Sequence, residues 1–380
     1  MQVVQVNCLR DHLRRSPADL LDAWPTLANV AGAARSAGAD VTVVLSSHRD
    51  ATCEREGVTF RFVSERYWMR GPSPVCVPTR LPEVVNVLKP DVIHMNGFGF
   101  PLYARALCNQ HVPVLAQHHG DNPYGRLRAL KRWGLAKIAA AAFTSHEQAL
   151  AFVADRYFKP GRPIFEIPES STRFQSGNLA AARRATGVHG SPVVLWVGHL
   201  NANKDPLTIL EAFSQALRIL PDAEFWCCYG DIHLLDRIRA RLAGDRLLAA
   251  HVHLLGFVDH NTIEQLCRAA DFFMLGSREE SCGYAVLEAL ACGATPIVSD
   301  IAAFRAITGK GAVGALCKPG NADSFSSALI RLASQPIEDH RAKAIAHFHK
   351  ELSFAGVGRK LVDAYEAIIT GHTKTLGKPR

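Results

Sequence analysis

The sequence predicts an α/β protein of two doubly wound domains in tandem. Three observations carry this. Short apolar runs of strand length alternate with helical patterns along the whole chain, as in a parallel sheet covered by helices. The alternation is interrupted once, by a Pro-, Ser- and Gly-containing stretch from Ile167 to Ser191, and then restarts. The length, 380 residues, is that of about two domains of ordinary size.

In the first half, Val3–Val6, Val41–Leu45, Val58–Val63, Val92–Met95, Val114–Ala116 and Ala141–Thr144 read as short buried strands. Helical patterns lie between several of them, at Thr26–Ala37, Leu102–Cys108 and His146–Tyr157. Ile167 to Ser191 reads as the connection between domains. In the second half the strands are Val193–Val197, Glu224–Tyr229, Val252–Leu254, Phe272–Leu275 and Thr295–Val298. A helix from Pro206 to Leu220 starts at Asp205-Pro206, with Pro near the first helical position. Gly356 to Ile369 is a last helical segment beyond the second domain. No low-complexity tract and no internal sequence repeat is visible.

Composition bounds the function. With 48% hydrophobic and 21% charged residues, the chain buries real cores and is no disordered segment. No apolar run approaches the ~20 residues of a membrane span. MQVVQVNCLRDHL lacks the basic and apolar regions of a signal peptide. The ten Cys are scattered without C-x-x-C or paired metal spacing, which suits reduced thiols in the cytosol. The net charge of +8 favours an acidic partner, a phosphorylated substrate or an anionic membrane surface. Nucleic acid is disfavoured, because no binding motif accompanies the charge.

The most specific segment is LGSREESCGYAVLEALACGATPIVSD, Leu275 to Asp300. It reads as loop, helix, strand, with Glu280 in the loop and Glu288 one turn inside the helix. On one continuous helix, two residues eight apart would lie ~12 Å apart along the axis. A loop folded back over the helix start instead lets both carboxylates face one crevice. Glu288 stands among Ala285, Val286, Leu287, Ala289, Leu290 and Ala291, on a helix apolar nearly all round and therefore buried. A carboxylate there needs a partner, and the hydroxyls of a ligand are one candidate; a solvated surface Glu is the plain alternative.

Glu-x7-Glu with Gly283 inside, followed by LEALACGATPIVSD, resembles the donor-binding signature of the retaining glycosyltransferases of family 4 (GT4). The resemblance covers most of the chain and is strongest from about 193 to 300. It implies the GT-B fold, two Rossmann-like domains facing an interdomain cleft. It places an acceptor-side domain at 1–175, joined by the C-terminal helix at 356–380, and a nucleotide-sugar-binding domain at 176–355. VLWVGHLNANKDPLTILEAF resembles the family's strand, phosphate loop and helix. Lys204 there implies a contact to the donor diphosphate, and His199 stands where the family usually has Arg. HVHLLGFVDHNTIEQLCRAADFFMLGS resembles the wall of the base pocket, with Gly256, Phe257 and Val258 at the lining positions; Phe257 is otherwise a core residue. Helix-start amides around Gly283 and Tyr284 suit a phosphate. Glu288 is implied at the ribose hydroxyls and Glu280 at the hydroxyls of the transferred sugar.

The first domain matches less closely. PDVIHMNG, with His94, and VLAQHHG, with His118 and His119, resemble two strand ends at the cleft, and His119 fits the family's active-site His. The usual Gly-rich loop after the first strand is replaced by NCLRDHLRRSPADLL, with Arg10, Arg14 and Arg15. The family's Ile-Pro-Asn-Gly turn appears as Ile167-Pro168-Glu169-Ser170, and the pattern after Asp300 as AAFRA.

The function implied is retaining transfer of a sugar from a nucleotide-diphospho-sugar to an unidentified acceptor. The alternatives are a non-catalytic sugar-nucleotide-binding protein of the same fold and a sugar-nucleotide epimerase. A dehydrogenase is disfavoured, since no G-x-G-x-x-G follows a strand. No cofactor and no metal is expected, as no Asp-x-Asp is present. The expected location is cytoplasmic, with peripheral contact to the inner face of an anionic membrane through GRLRALKRW. There Arg126, Arg128, Lys131 and Arg132 flank Leu127, Leu130 and Trp133, a surface-binding pattern if helical.

Overall fold

A computed structural model describes residues 1–65, 75–125 and 127–376. The chain divides into two compact units. One comprises Met1–Ser171 with Phe354–Arg380, the other Thr172–Ser353.

The first unit is an eight-stranded sheet. Its strands are β1 (Gln2–Asn7), β2 (Asp40–Ser47), β3 (Ala51–Arg55), β4 (Val58–Ser64), β5 (Val92–Asn96), β6 (Val114–Gln117), β7 (Ala140–Phe143) and β8 (Ile164–Glu166). The order is β3-β4-β2-β1-β5-β6-β7-β8, and every pairing is parallel except the β3–β4 hairpin. Glu56 and Gly57 close that hairpin, both at positive φ, the conformation of a tight turn matched to strand twist. Both faces of the sheet are covered. Val4, Val6, Ile93 and Met95 pack on one side, and Val3, Val43, Leu45, Val92 and Leu115 on the other. Burial on both faces explains why these strands read as continuous apolar runs rather than alternating ones.

The helix Phe354–Leu376 belongs to this unit. Its buried Val357, Leu361, Ala364, Tyr365 and Ile368 recur at helical spacing and join the second of those cores. A Cβ on Gly358 would lie 2.2 Å from the carbonyl oxygen of Ala33. Glycine therefore lets this helix lie directly on the helix Pro25–Ser36.

The second unit is a parallel six-stranded sheet of β9 (Val193–Gly198), β10 (Glu224–Tyr229), β11 (Val252–Gly256), β12 (Phe272–Leu275), β13 (Thr295–Ser299) and β14 (Ala315–Cys317). Its order is β11-β10-β9-β12-β13-β14. Counted from β9 this is 3-2-1-4-5-6, the doubly wound order in which ligands bind beyond the carboxyl ends where the order reverses. Here that reversal lies between β9 and β12.

Three expectations change. The stretch Ile167–Ser191 is not all linker, because Leu179–Thr186 is a helix capped by Asn178 and ended by Gly187 in the left-handed region. The strands β3, β8 and β14 are additional. The basic helix runs Arg128–Leu135, later than the motif suggested, because Leu127 sits at φ 64 before it. Arg126 and residues 377–380 lie outside the described residues.

Candidate functional site

In the second unit the carboxyl ends of β9 and β12 present two loops that are tied to each other. The Asn203 side chain accepts from the Glu279 amide at 3.1 Å and donates to the Glu279 carbonyl at 3.0 Å. The Arg278 amide donates to the Asn203 carbonyl at 2.8 Å. Arg278 Nη2 donates to Asp205 Oδ2 at 2.8 Å. A Cβ on Gly276 would press on the Asp205 carbonyl at 3.1 Å, so glycine permits the close approach. Within the first loop, Asn201 Oδ1 accepts from the Lys204 amide at 3.0 Å. Lys204 is thereby held just before the helix Pro206–Leu217.

This clamp brings Lys204 and Glu280 together. Lys204 Nζ pairs with Glu280 Oε1, and the two side chains are mostly buried. Both sit at the reversal point of the sheet order. The helix Tyr284–Cys292 follows, with Gly283 as its N-cap at φ 78 and no capping side chain. A Cβ on Gly283 would lie 2.7 Å from the Phe304 ring. The first turn lies at the positive end of the helix dipole, with the Val286 amide donating to the Gly283 carbonyl at 3.0 Å. Tyr284 is 40% exposed at its start.

Glu288, one turn further on, is only 15% exposed. Desolvation by the surrounding apolar helix pushes its carboxyl up to about 7. His260 Nε2 lies 3.7 Å from Glu288 Oε1, on an imidazole that is itself mostly exposed. The solvated-surface alternative for Glu288 is therefore excluded.

On the other side of β9, the ends of β9, β10 and β11 carry His199, Gly230 and Phe257. A Cβ built on Gly230 would sit 3.8 Å from the Phe257 ring and 3.9 Å from the His199 ring. The two rings thus flank one glycine. Phe257 is 83% exposed, which rules out the core reading and leaves an aromatic face open to a flat ligand. Gly256 before it is at φ 72, and Val258 is half-buried.

In the first unit three histidines lie on β5 and just after β6; His118 and His119 follow the carboxyl end of β6, but His94 stands in the middle of β5 rather than at its end. His94 is fully buried, and desolvation lowers it to about 3, so it is neutral. Its Nδ1 is 2.7 Å from the Tyr365 hydroxyl. His118 stacks on Phe143 at 4.9 Å, with Nε2 3.0 Å from the Asp121 carbonyl oxygen. His119 alone of the three is substantially accessible. Its Nδ1 is 3.5 Å from Glu169 Oε2, on a carboxylate side chain only 6% exposed. Glu169 Oε1 has no hydrogen-bond partner among the described residues. The loop after β1, which lacks the glycines, is braced by side chains instead. Asp11 accepts from the amides of Leu13 and Arg15 and pairs with the Arg15 guanidinium at 2.7 Å. Arg10 Nη2 donates to the Tyr103 hydroxyl at 3.1 Å.

Sequence reasoning passed over Asn203, Asp205 and Glu169. Asn203 and Asp205 were visible in the NANKDP loop as turn-forming side chains. Glu169 was visible only as the residue replacing a turn Asn. The basic helix is less open than its motif implied. Arg128 pairs with Asp155 at 3.3 Å, the Arg105 guanidinium lies 4.8 Å over the Trp133 ring, and Gly134 and Leu135 are buried. Among the described residues, no helix is long and apolar enough to cross a membrane.

Comparison with known proteins gives the class of transferase to which this two-domain α/β fold belongs. Residues 180–347 match the family of glycosyl transferases group 1, and residues 25–168 match glycosyltransferase family 4. The chain is 31% identical over 298 residues to phosphatidyl-myo-inositol mannosyltransferase of Mycolicibacterium smegmatis, covering 73% of this chain and 71% of that one. It is 28% identical over 231 residues to D-inositol 3-phosphate glycosyltransferase of Geodermatophilus obscurus, covering 55% and 49%. The match to phosphatidyl-myo-inositol mannosyltransferase of Mycobacterium leprae spans 41% of that relative. Sucrose-phosphate synthase from Thermosynechococcus elongatus has the same fold, with a TM-score of 0.66, 15% identity and coverage of 97% and 99%. So does Anabaena HepE in complex with UDP, at 0.67, 16% and coverage of 97% and 100%. The chain belongs to the GT4 glycosyltransferases, group 1, with the GT-B fold.

Proposed function

We propose that the enzyme transfers a sugar, with retention of anomeric configuration, from a nucleotide-diphospho-sugar to an acceptor hydroxyl. The observation that carries this is the Lys204–Glu280 pair, clamped across the β9 and β12 loops where the sheet order reverses. A cation and a carboxylate held side by side suit the two halves of such a donor. Lys204, His199 and the amides following Gly283 take the diphosphate and stabilise its charge as it leaves. Glu280 accepts from hydroxyls of the transferred sugar, and Tyr284 borders the same helix start. Glu288 accepts from the ribose hydroxyls. Phe257, with Gly256 and Val258, covers the base. His119, braced by Glu169, contacts the transferred sugar.

In the step proposed, the bond from the anomeric carbon to the diphosphate oxygen breaks. The acceptor oxygen bonds to the same face of that carbon, and its proton passes to the departing phosphate oxygen. This asks for no protein nucleophile and no metal.

Two further points complete the reading. Anabaena HepE, of the same fold, is described in complex with UDP-glucose, which supports a nucleotide-sugar donor. Two relatives are named for phosphatidyl-myo-inositol and D-inositol 3-phosphate. Together with the net charge of +8, those names support an acceptor that carries phosphate. Peripheral contact with an anionic membrane through Leu127, Lys131, Arg132 and Trp133 belongs to the same reading, and vesicle co-sedimentation tests it.

The test is a thermal-shift screen of nucleotide sugars, followed by product analysis with and without phosphorylated acceptors. A donor at 100 times its dissociation constant stabilises by ~2.7 kcal/mol. No stabilisation by any donor overturns the donor site. Conversion of a donor without acceptor into an isomer overturns transfer.

A further inference from the structure

We propose that His189, Glu224 and His253 form a binding site for a divalent transition cation, Zn²⁺ foremost, at the amino ends of β9, β10 and β11. This is the end of the sheet opposite the loops of the donor site. One ligand atom from each of the three residues lies within 4.8 Å of the other two. They come from three neighbouring parts of the sheet: the loop entering β9, the first residue of β10 and the second residue of β11.

The fold holds them there by specific means. Gly190 is at φ 122, and a Cβ on it would lie 2.6 Å from both Cβ and Cγ of Glu224. Only glycine lets the loop that carries His189 lie flat on the Glu224 stem. The Ser191 amide donates to the Asp222 carbonyl at 2.7 Å, and the Glu224 amide to the Pro192 carbonyl at 3.0 Å. The loop and the strand start are therefore one rigid piece.

The imidazoles are also oriented. His189 Nδ1 lies 3.2 Å from the Gly187 carbonyl oxygen, so Nδ1 carries the proton and Nε2 keeps its lone pair. Trp226 Nε1 donates to the His189 carbonyl at 3.3 Å. The Trp226 ring stacks on His253 at 3.9 Å with 16° between planes. His253 Nε2 is 2.8 Å from Glu224 Oε2. His251 Nδ1 bonds the Ala223 carbonyl oxygen at 3.1 Å and also lies 3.1 Å from Glu224 Oε1. The Gly187 carbonyl is an outer partner of the kind that sets the tautomer of a metal-binding imidazole, whereas the His253–Glu224 contact joins two ligands, and the proton between them leaves when a cation binds.

Two imidazoles and one carboxylate are the donor set of three-ligand zinc sites, with water in the fourth position. They do not suit Mg²⁺ or Ca²⁺, which take oxygen ligands. Tetrahedral Zn²⁺ needs its ligand atoms about 3.3 Å apart, given metal–nitrogen bonds of ~2.0–2.1 Å. The exposed side chain of His189 supplies the remaining closure by rotation. A cation there ties three strand starts together. It acts on the stability of the second unit and takes no part in sugar transfer.

The test is calorimetric titration of the untagged, chelator-stripped full chain with ZnCl₂. The expected result is one Zn²⁺ per chain, no heat with MgCl₂, and visible absorption bands of a four-coordinate site with Co²⁺. Zn²⁺ should raise the melting temperature, and EDTA should reverse the rise. His189→Ala and His253→Ala should each weaken Zn²⁺ binding about tenfold or more. His189→Ala changes an exposed residue, and its metal-free melting temperature checks that the variant folds. Absence of Zn²⁺ binding overturns the proposal. Undiminished one-to-one binding in the His189→Ala/His253→Ala double variant overturns it as well.

Discussion

Glu288→Gln separates two consequences of burying one carboxyl group. Desolvation pushes Glu288 up from an ordinary value of 4.5 to about 7. For stability the sign follows from proton counting. Between pH 4.5 and 7 the unfolded chain ionises this group and the folded chain does not, so stability falls as pH rises and levels off above about 7. The full cost of ionising Glu288 in place is about 3 kcal/mol, at roughly 1.36 kcal/mol for each pH unit between the two values. Glu288→Gln should therefore match wild type near pH 4.5 and gain up to that amount at pH 8. For a unit of this size, each kcal/mol is about 2–4 °C in melting temperature. For binding the sign is opposite. A carboxylate that accepts from ribose hydroxyls favours the ionised form. Affinity for the free nucleotide should rise about tenfold per pH unit from 5 towards 7 and then level off. Glu288→Gln should flatten this profile and weaken binding at pH 8 by roughly 1.5–3 kcal/mol, the worth of hydrogen bonds to a charged group. His260, 3.7 Å from Glu288 Oε1, is the neighbouring ionisable side chain. His260→Gln is the control and should keep the slope. Nucleotide dissociation constants at four pH values, with melting temperatures of the free proteins, decide the matter. Superimposable binding profiles for wild type and Glu288→Gln would remove Glu288 from the ribose.

Four further outcomes are expected. Phe257→Ala should weaken nucleotide binding by roughly 1–3 kcal/mol, the worth of one base–aromatic stack, with no change in melting temperature because the ring is 83% exposed; calorimetry and melting curves check both. Asn203→Ala, which removes the two side-chain hydrogen bonds to Glu279, should lower kcat/KM by about 1–2 kcal/mol, a factor of roughly 5–30; wild-type kinetics would deny those bonds a role. Glu280→Gln should reduce turnover more than affinity for free nucleotide, which steady-state kinetics and calorimetry separate. His199→Arg should raise donor affinity, because a guanidinium can hold a diphosphate with two parallel N–H donors, and an unchanged donor dissociation constant would count against it.

Much of this was legible in the chain because a parallel sheet buried on both faces writes its strands as unbroken apolar runs. Each of the eleven runs read as strands is a strand. What escaped lacks that signature. The edge strand β3 alternates between partial and full exposure and carries Glu54 and Arg55. The strands β8 and β14 are three residues each, too short for any period. The helix Leu179–Thr186 hid inside a stretch judged by its prolines and glycines, although Asn178 before it and Gly187 after it are start and stop signals of their own. The loops after β9 and β12 were legible as loops, but their mutual clamp was not. Asn203 and Glu279 are distant in sequence and meet only because β9 and β12 are neighbours in the sheet.

The same geometry explains where the charged clusters lie. An apolar strand cannot hold a charge, so the first polar residue after each run falls at the carboxyl end of the sheet. Gln117 ends β6 in this way, with His118 and His119 just beyond it; His199 follows β9, and Arg278 to Glu280 follow β12. Residues that end different runs become neighbours whenever their strands pair, and Lys204–Glu280 is such a meeting. The rule works equally from the other direction. Glu224 opens β10, His253 stands beside the start of β11, and His189 precedes β9. Their strands are adjacent, so their side chains converge at the amino end. A search for metal ligands by spacing along the chain looks for neighbours in sequence and does not find this cluster. In a doubly wound domain, ligands must be sought at matching ends of strands that pair.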